Sequence, residues 1–149
     1  MAHWQKYKDD FVLLLETGFI AANQADEDAA MKLFRASQLL NPESSLPKVG
    51  FGYVHMLKLE LKQACHHFEE VLKKEPNNHM ARALLGLSIS LTTKEVERGE
   101  GLLKEVLKKS DDPAVKTMAD TAIEFVEKFV KRSPTPVQGQ PQTKKKSAK

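Results

Sequence analysis

Apolar residues recur along this chain at intervals of three and four, the spacing that places them on one face of an α-helix. The segment from Phe11 to Asn23 carries Val12, Leu14, Leu15, Phe19 and Ile20 in that register, with Gly18 among them. A second helix is predicted over Asp26 to Leu40, with Ala29, Ala30, Leu33, Phe34 and Leu39 turned inward and the acids Asp26, Glu27 and Asp28 at its favourable N-terminal end. Asn41-Pro42 ends it, because the residue before a proline is pushed out of helical geometry. Ser44 or Ser45 is the expected cap of a third helix through Leu46, Val49, Gly52, Tyr53, Met56 and Leu57. After a break near Leu59, a fourth carries Leu61, Ala64, Cys65, Phe68, Val71 and Leu72 and stops at Glu75-Pro76.

Within this pattern lies a repeat. Gly52, Ala64, Phe68 and Pro76 recur upstream, all at one constant offset, as Gly18, Ala30, Phe34 and Pro42. A glycine inside a helix costs roughly 1 kcal/mol relative to alanine, so Gly18 predicts a partner helix too close for a side chain. Gly86 follows Gly52 at the same offset and opens a third copy with Met80, Ala83, Leu84, Leu85, Leu87, Ile89 and Leu91. Its second half stays in step only if one residue is inserted in Thr92-Thr93-Lys94, which puts Gly99 in the slot of Ala64 and Leu103 in that of Phe68. Asp112-Pro113 then starts a last helix whose wide apolar face, from Val115 through Met118, Ala119, Ala122, Ile123, Val126 and Phe129 to Val130, suits a cap on an open repeat end.

A period of this length belongs to stacked units that bury their apolar faces against one another, so the expected fold is an all-α solenoid of three helix pairs and a capping helix. The predicted organisation is a short N-terminal segment (1–10), a repeat domain (11–131, with units at about 11–44, 45–78 and 79–112 and a cap at 113–131) and a tail (132–149). Trp4 and Tyr7 form either a short leading helical turn or a frayed end, with Asp9 or Asp10 capping the helix that follows. The tail, rich in Lys, Pro and Gln, has one valine as its only large apolar residue and is expected to be disordered.

Composition narrows the function classes. The net charge is +3, but six basic residues and no acid follow Val130, which leaves residues 1–130 at −3. A mildly acidic body without a basic stripe argues against nucleic-acid binding. The early apolar run Phe11–Leu15 is too short for a secretory segment or a membrane span, so a cytoplasmic protein without membrane insertion is expected. The single cysteine, Cys65, excludes an internal disulfide. Beside His66 and His67 it suggests a metal, but three consecutive helical residues point about 100° apart; an ordinary buried thiol flanked by partly exposed imidazoles is the better reading, and no metal or cofactor is expected. No Gly-rich phosphate loop, nucleophile elbow or paired-ligand helix is present, so no catalytic residues are predicted and the chain does not read as an enzyme.

The pattern small–x11–Ala–x3–aromatic–x7–Pro on its 34-residue period resembles the tetratricopeptide repeat over about residues 11–112. Departures fall at the family's tryptophan slot (Leu14, Lys48, Arg82), leucine slot (Thr17, Phe51, Leu85) and tyrosine slot (Ala21, His55, Ile89). The resemblance implies that the first helix of each pair lines a concave face. Carried over, its lining positions are Val12, Leu15, Phe19 and Ala22, then Leu46, Val49, Tyr53 and Met56, then Met80, Ala83, Leu87 and Ser90. Apolar or aromatic side chains fill eleven of these twelve positions, which suits the apolar face of an amphipathic helix or an extended apolar peptide better than an acidic peptide terminus. The competing reading is that such side chains pack against adjacent repeats.

Three such repeats, a capping helix and an apolar groove are similar to the tetratricopeptide chaperones of bacterial type III secretion systems, closest in layout to the needle-subunit (SctG or YscG-like) chaperones. This resemblance implies a bacterial cytoplasmic chaperone that holds the needle subunit, or another export substrate, in its groove and prevents premature polymerisation, with a small helical co-chaperone as second partner. A translocator chaperone or a general protein-interaction scaffold is the alternative.

Overall fold

The computed structural model describes residues 5–132; Trp4 and the tail from residue 133, for which a leading turn and disorder are expected, lie outside them. Seven α-helices follow a 3₁₀ turn (Gln5–Tyr7): α1 (Lys8–Asn23), α2 (Glu27–Leu40), α3 (Leu46–Leu57), α4 (Leu61–Lys74), α5 (His79–Ser90), α6 (Val96–Lys109) and α7 (Pro113–Phe125), the last running into a π-helical turn (Val126–Val130). No strand occurs among the described residues.

The boundaries have local causes. Asp26, Asn78 and Asp112 accept from the backbone N–H of Ala29, Ala81 and Ala114, capping α2, α5 and α7. Asn41-Pro42 and Glu75-Pro76 end α2 and α4 as predicted. Two expected caps differ. Helix α1 begins at Lys8, so Asp9 and Asp10 sit inside its first turn, where they favour the helix dipole without capping. Ser45 occupies the N-cap of α3 but makes no capping bond; its hydroxyl donates across to the Glu75 carboxylate, and Ser44 Oγ accepts from Leu46 N–H at 3.3 Å.

Within each pair the turn repeats as faithfully as the helices. Ala25, Leu59 and Thr93, each one repeat period from the next, are the described non-glycine residues with positive φ (60°, 60° and 62°). At the first two, a left-handed residue closes the helix with paired bonds, Ala25 N–H to Ala22 O (3.1 Å) with Asp26 N–H to Ala21 O (2.9 Å), and Leu59 N–H to Met56 O with Glu60 N–H to His55 O (2.9 Å each). The third pair makes neither bond of this motif, and α6 starts one residue late in the register, at Val96 where the repeat period from Leu61 would give Glu95. The predicted insertion therefore lies just beyond Thr93.

Three cores share helices in overlapping fashion. The first joins Phe11 and Leu15 of α1 and Phe34 of α2 to Phe51 and Val54 of α3. In the second, Val49 and Met56 of α3 meet Phe68 and Val71 of α4 and Leu84, Leu85 and Ile89 of α5. Ala83 of α5, Leu103 and Val106 of α6, and Val115, Ala119 and Ala122 of α7 make the third. Each helix pair is thus completed by the first helix of the next, and the arrangement needs α7 to complete the last.

Glycines set the close approaches. A Cβ on Gly18 would stand 2.7 Å from Phe34 Cε1, and one on Gly52 would stand 2.6 Å from Phe68 Cε1. In the third pair the filler is the smaller Leu103, and the helix backbones come closer still: a Cβ on Gly99 would lie 2.4 Å from the Gly86 carbonyl oxygen and 2.1 Å from Ser90 Oγ. The alanine of the first two units is accordingly replaced by glycine in the third.

Candidate binding cleft

The sequence offers twelve positions as a groove lining, and the structure distributes them over three environments. Leu15, Ala22, Val49, Met56 and Ala83 are buried in the cores just described, and Ser90 is buried with its hydroxyl donating to Gly86 O. Phe19, Tyr53, Met80 and Leu87 are half-buried and pack on the edges of those cores. Val12 and Leu46 are exposed and do not line the apolar cleft described below. Only Met56 and Leu87 reach a common cleft. Packing accounts for this distribution: the first helix of each following unit completes the core of the pair before it, with Gly50 of α3 set against the Phe34 ring of α2, so most inward positions of α1, α3 and α5 are spent on contacts within and between units.

The cleft lies between the C-terminal ends of α3 and α5 and the outer half of α7. It measures about 480 Å³ and is lined by Met56, Leu57, Leu59, Leu87, Leu91, Met118, Thr121, Ala122 and Phe125. Thr121 supplies the one polar side chain. Leu57, Leu59 and Phe125 form an exposed rim, with Leu59 at 68% and Phe125 at 43% exposure.

Leu59 stands out on this rim. A β-carbon in the left-handed region costs on the order of 1–2 kcal/mol, and a glycine or asparagine would serve the turn better. The leucine gains little burial in return. A charged network holds the turn in place: His55 Nδ1 lies 2.5 Å from Glu60 Oε2, and Lys58 Nζ lies 3.0 Å from Glu60 Oε1 and 3.5 Å from Glu27 Oε2. Hydrogen bonding to His55, and then to Lys58, holds the Glu60 carboxyl below the usual range.

Tyr53 belongs to a neighbouring cluster. Its hydroxyl donates to Asn23 Oδ1 at 2.5 Å, and its ring lies 5.6 Å from that of Phe19. The residue thus ties α3 to α1, and burial raises its phenol above the ordinary value.

Sequence reasoning missed Leu57, Leu59, Leu91, Met118, Thr121, Ala122 and Phe125. The carry-over confined the lining to the first three units, whereas α7 stands one repeat period after α5 and supplies the far wall. A signal was present, since Leu57, Leu91 and Phe125 share that register.

No family model, curated protein or solved structure matches the chain.

A second hollow, about 390 Å³, runs between α4 and α6 and includes Lys62, Cys65, His66, Glu69, Glu95 and Arg98. Burial first, and then Glu69, push the Cys65 thiol up, the reverse of an activated nucleophile. Among the described residues no group of three His, Cys, Asp or Glu side chains is placed to hold a metal ion, and no helix is long and apolar enough to cross a membrane.

Proposed function

We propose that this chain is a protein-binding repeat of the tetratricopeptide kind, and that the cleft between α3, α5 and α7 receives the apolar face of an amphipathic helix from a partner protein. Leu59 carries the reading: a strained backbone and an exposed leucine together are a cost without return unless something covers that side chain. Met56 and Met118 in the lining give the surface adaptability, since unbranched thioethers repack around different ligands.

The use proposed for this cleft is that of a chaperone for a small helical export substrate, in the manner of the needle-subunit chaperones of type III secretion. Sequestering the apolar stripe by which such a subunit polymerises would keep it monomeric until export. A small helical co-chaperone would occupy a second face. The three overlapping cores and the cap support this reading by leaving a hollow lined almost wholly by apolar side chains between α3, α5 and α7.

The test is co-expression with the small helical proteins encoded beside it, followed by native mass determination. A stable heterotrimer with two of them is expected. Recovery of the chain alone at every stage rejects the chaperone, and loss of a complex on deleting residues 133–149 would point instead to a scaffold that works through its basic tail.

A further inference from the structure

The third unit carries one residue out of keeping with its place. With Gly99 in the slot of Ala64 and Ala30, the next residue, Glu100, stands where the other units have Cys65 and Met31. Those two pack half-buried against the apolar cores. Glu100 is more deeply enclosed, at 4% exposure, and its Oε1 is buried without a hydrogen-bond partner. Removing a carboxylate from water is costly unless a cation compensates it.

The compensating charge comes from beyond α7. Lys131 Nζ lies 2.6 Å from Glu100 Oε2. The backbone of the same lysine closes the π turn, its N–H donating to Val126 O at 3.0 Å, and Val126 is fully buried at the turn's other end. Glu97 and Glu127 add to the negative surroundings of the ammonium. The terminal turn is therefore held at two points, one apolar and one ionic. Phe125, immediately before it, forms the outer wall of the apolar cleft, and its ring meets that of Phe129 at 5.1 Å.

We infer that Glu100 is a cation socket on α6, filled by Lys131 of the same chain, and that this pair is the positioning device that seats the π turn and thereby sets the Phe125 wall of the cleft. A hydrophobic contact at Val126 alone would anchor the turn without fixing its rotation. A single ion pair at an enclosed carboxylate does fix it, because the other carboxylate oxygen has no hydrogen-bond partner among the described residues. The consequence for ligand binding rests on the cleft reading above; the latch itself does not.

The experiment uses the full chain and no partner, so that its failure is distinguishable from failure of the binding proposal. Amide hydrogen exchange of the segment 126–131 and fluorescence of the apolar dye anilinonaphthalene sulfonate are measured for wild type, Lys131→Met and the double variant Glu100→Met/Lys131→Met. In Lys131→Met the segment is expected to exchange about tenfold faster or more, with α1 to α4 unchanged and dye fluorescence altered. The double variant restores an apolar slot like that of Met31 and recovers thermal stability. Its terminal turn is still expected to exchange fast, since the device that fixed the turn is gone. Unchanged exchange in Lys131→Met overturns the inference, as does a double variant that regains both stability and slow exchange, because the pair would then be ordinary packing. Faster exchange with unaltered dye binding overturns the link to the cleft.

Discussion

The ring of Phe68 occupies the space that a side chain on Gly52 would need, with only 2.6 Å between an added Cβ and Phe68 Cε1. The phenylalanine is the spacer between the two helices of its unit, and the glycine is what makes room for it. Gly52→Ala is therefore expected to destabilise the chain by about 1–3 kcal/mol through overpacking, measured by urea unfolding. Gly101 supplies the opposite case within the same fold. Nothing lies within 4 Å of a Cβ built there, so Gly101→Ala should stabilise by about 0.5–1 kcal/mol.

Gly99 should be the least tolerant of the glycines. Its close neighbour is the Gly86 carbonyl, part of a helix backbone, whereas the neighbour of Gly52 is a ring that can tilt. Gly99→Ala is expected to cost more than Gly52→Ala in the same assay. Equal costs would mean that α5 can move away from α6 more readily than its backbone contact implies.

Leu59 separates stability from function. Leu59→Gly releases the left-handed strain, while the loop entropy of glycine offsets part of the gain; Leu59→Asn keeps a side chain that tolerates this conformation. The asparagine variant is expected to unfold at equal or higher urea concentration than wild type and to bind a partner more weakly. A variant that is both less stable and unimpaired in binding would remove the reason for assigning Leu59 to the cleft.

Acid should act in two steps. Burial first, and then the neighbouring His55 and His66, depress the pKa of His67, whose ring stacks 5.3 Å from that of His55. A folded-state pKa below the ordinary value of about 6.5 means that the unfolded chain takes up the proton more readily. The stability that this imidazole contributes is complete above about pH 6.5 and is lost as pH falls toward its folded value. The carboxyls of Glu60, Glu70, Glu75 and Glu105 are also depressed, each chiefly by a hydrogen bond, from His55, Lys48, Ser45 and Lys109 respectively; their contributions fall away below about pH 4.5. His67→Gln should flatten the upper step in a series of urea midpoints against pH and leave the lower one in place.

The repeat skeleton was legible because it is a steric contract: a glycine on one helix, a phenylalanine on the next and a proline at the exit can be read as residues. Even the inserted residue after Thr93 could be inferred, from the positions of Gly99 and Leu103 alone. The cleft was less legible. Whether Val49 or Met56 faces a ligand or a neighbouring helix depends on how closely α3 approaches α4 and α5, and periodicity reports only that a face is apolar. The latch was hidden for another reason. Glu100 reads as one more acid on a charged helix until the fold shows that its slot is closed to water.

The most direct measurement compares Phe125→Asp with Leu39→Asp in the purified complex. Both residues are exposed, at 43% and 83%, but only Phe125 lines the cleft. Binding through the cleft predicts that Phe125→Asp weakens the partner by about thirtyfold or more, the loss of a hot-spot contact of at least 2 kcal/mol, while Leu39→Asp binds as wild type and both variants keep the helical circular dichroism of the parent. Normal binding by Phe125→Asp, with affinity lost in Leu39→Asp, would contradict it.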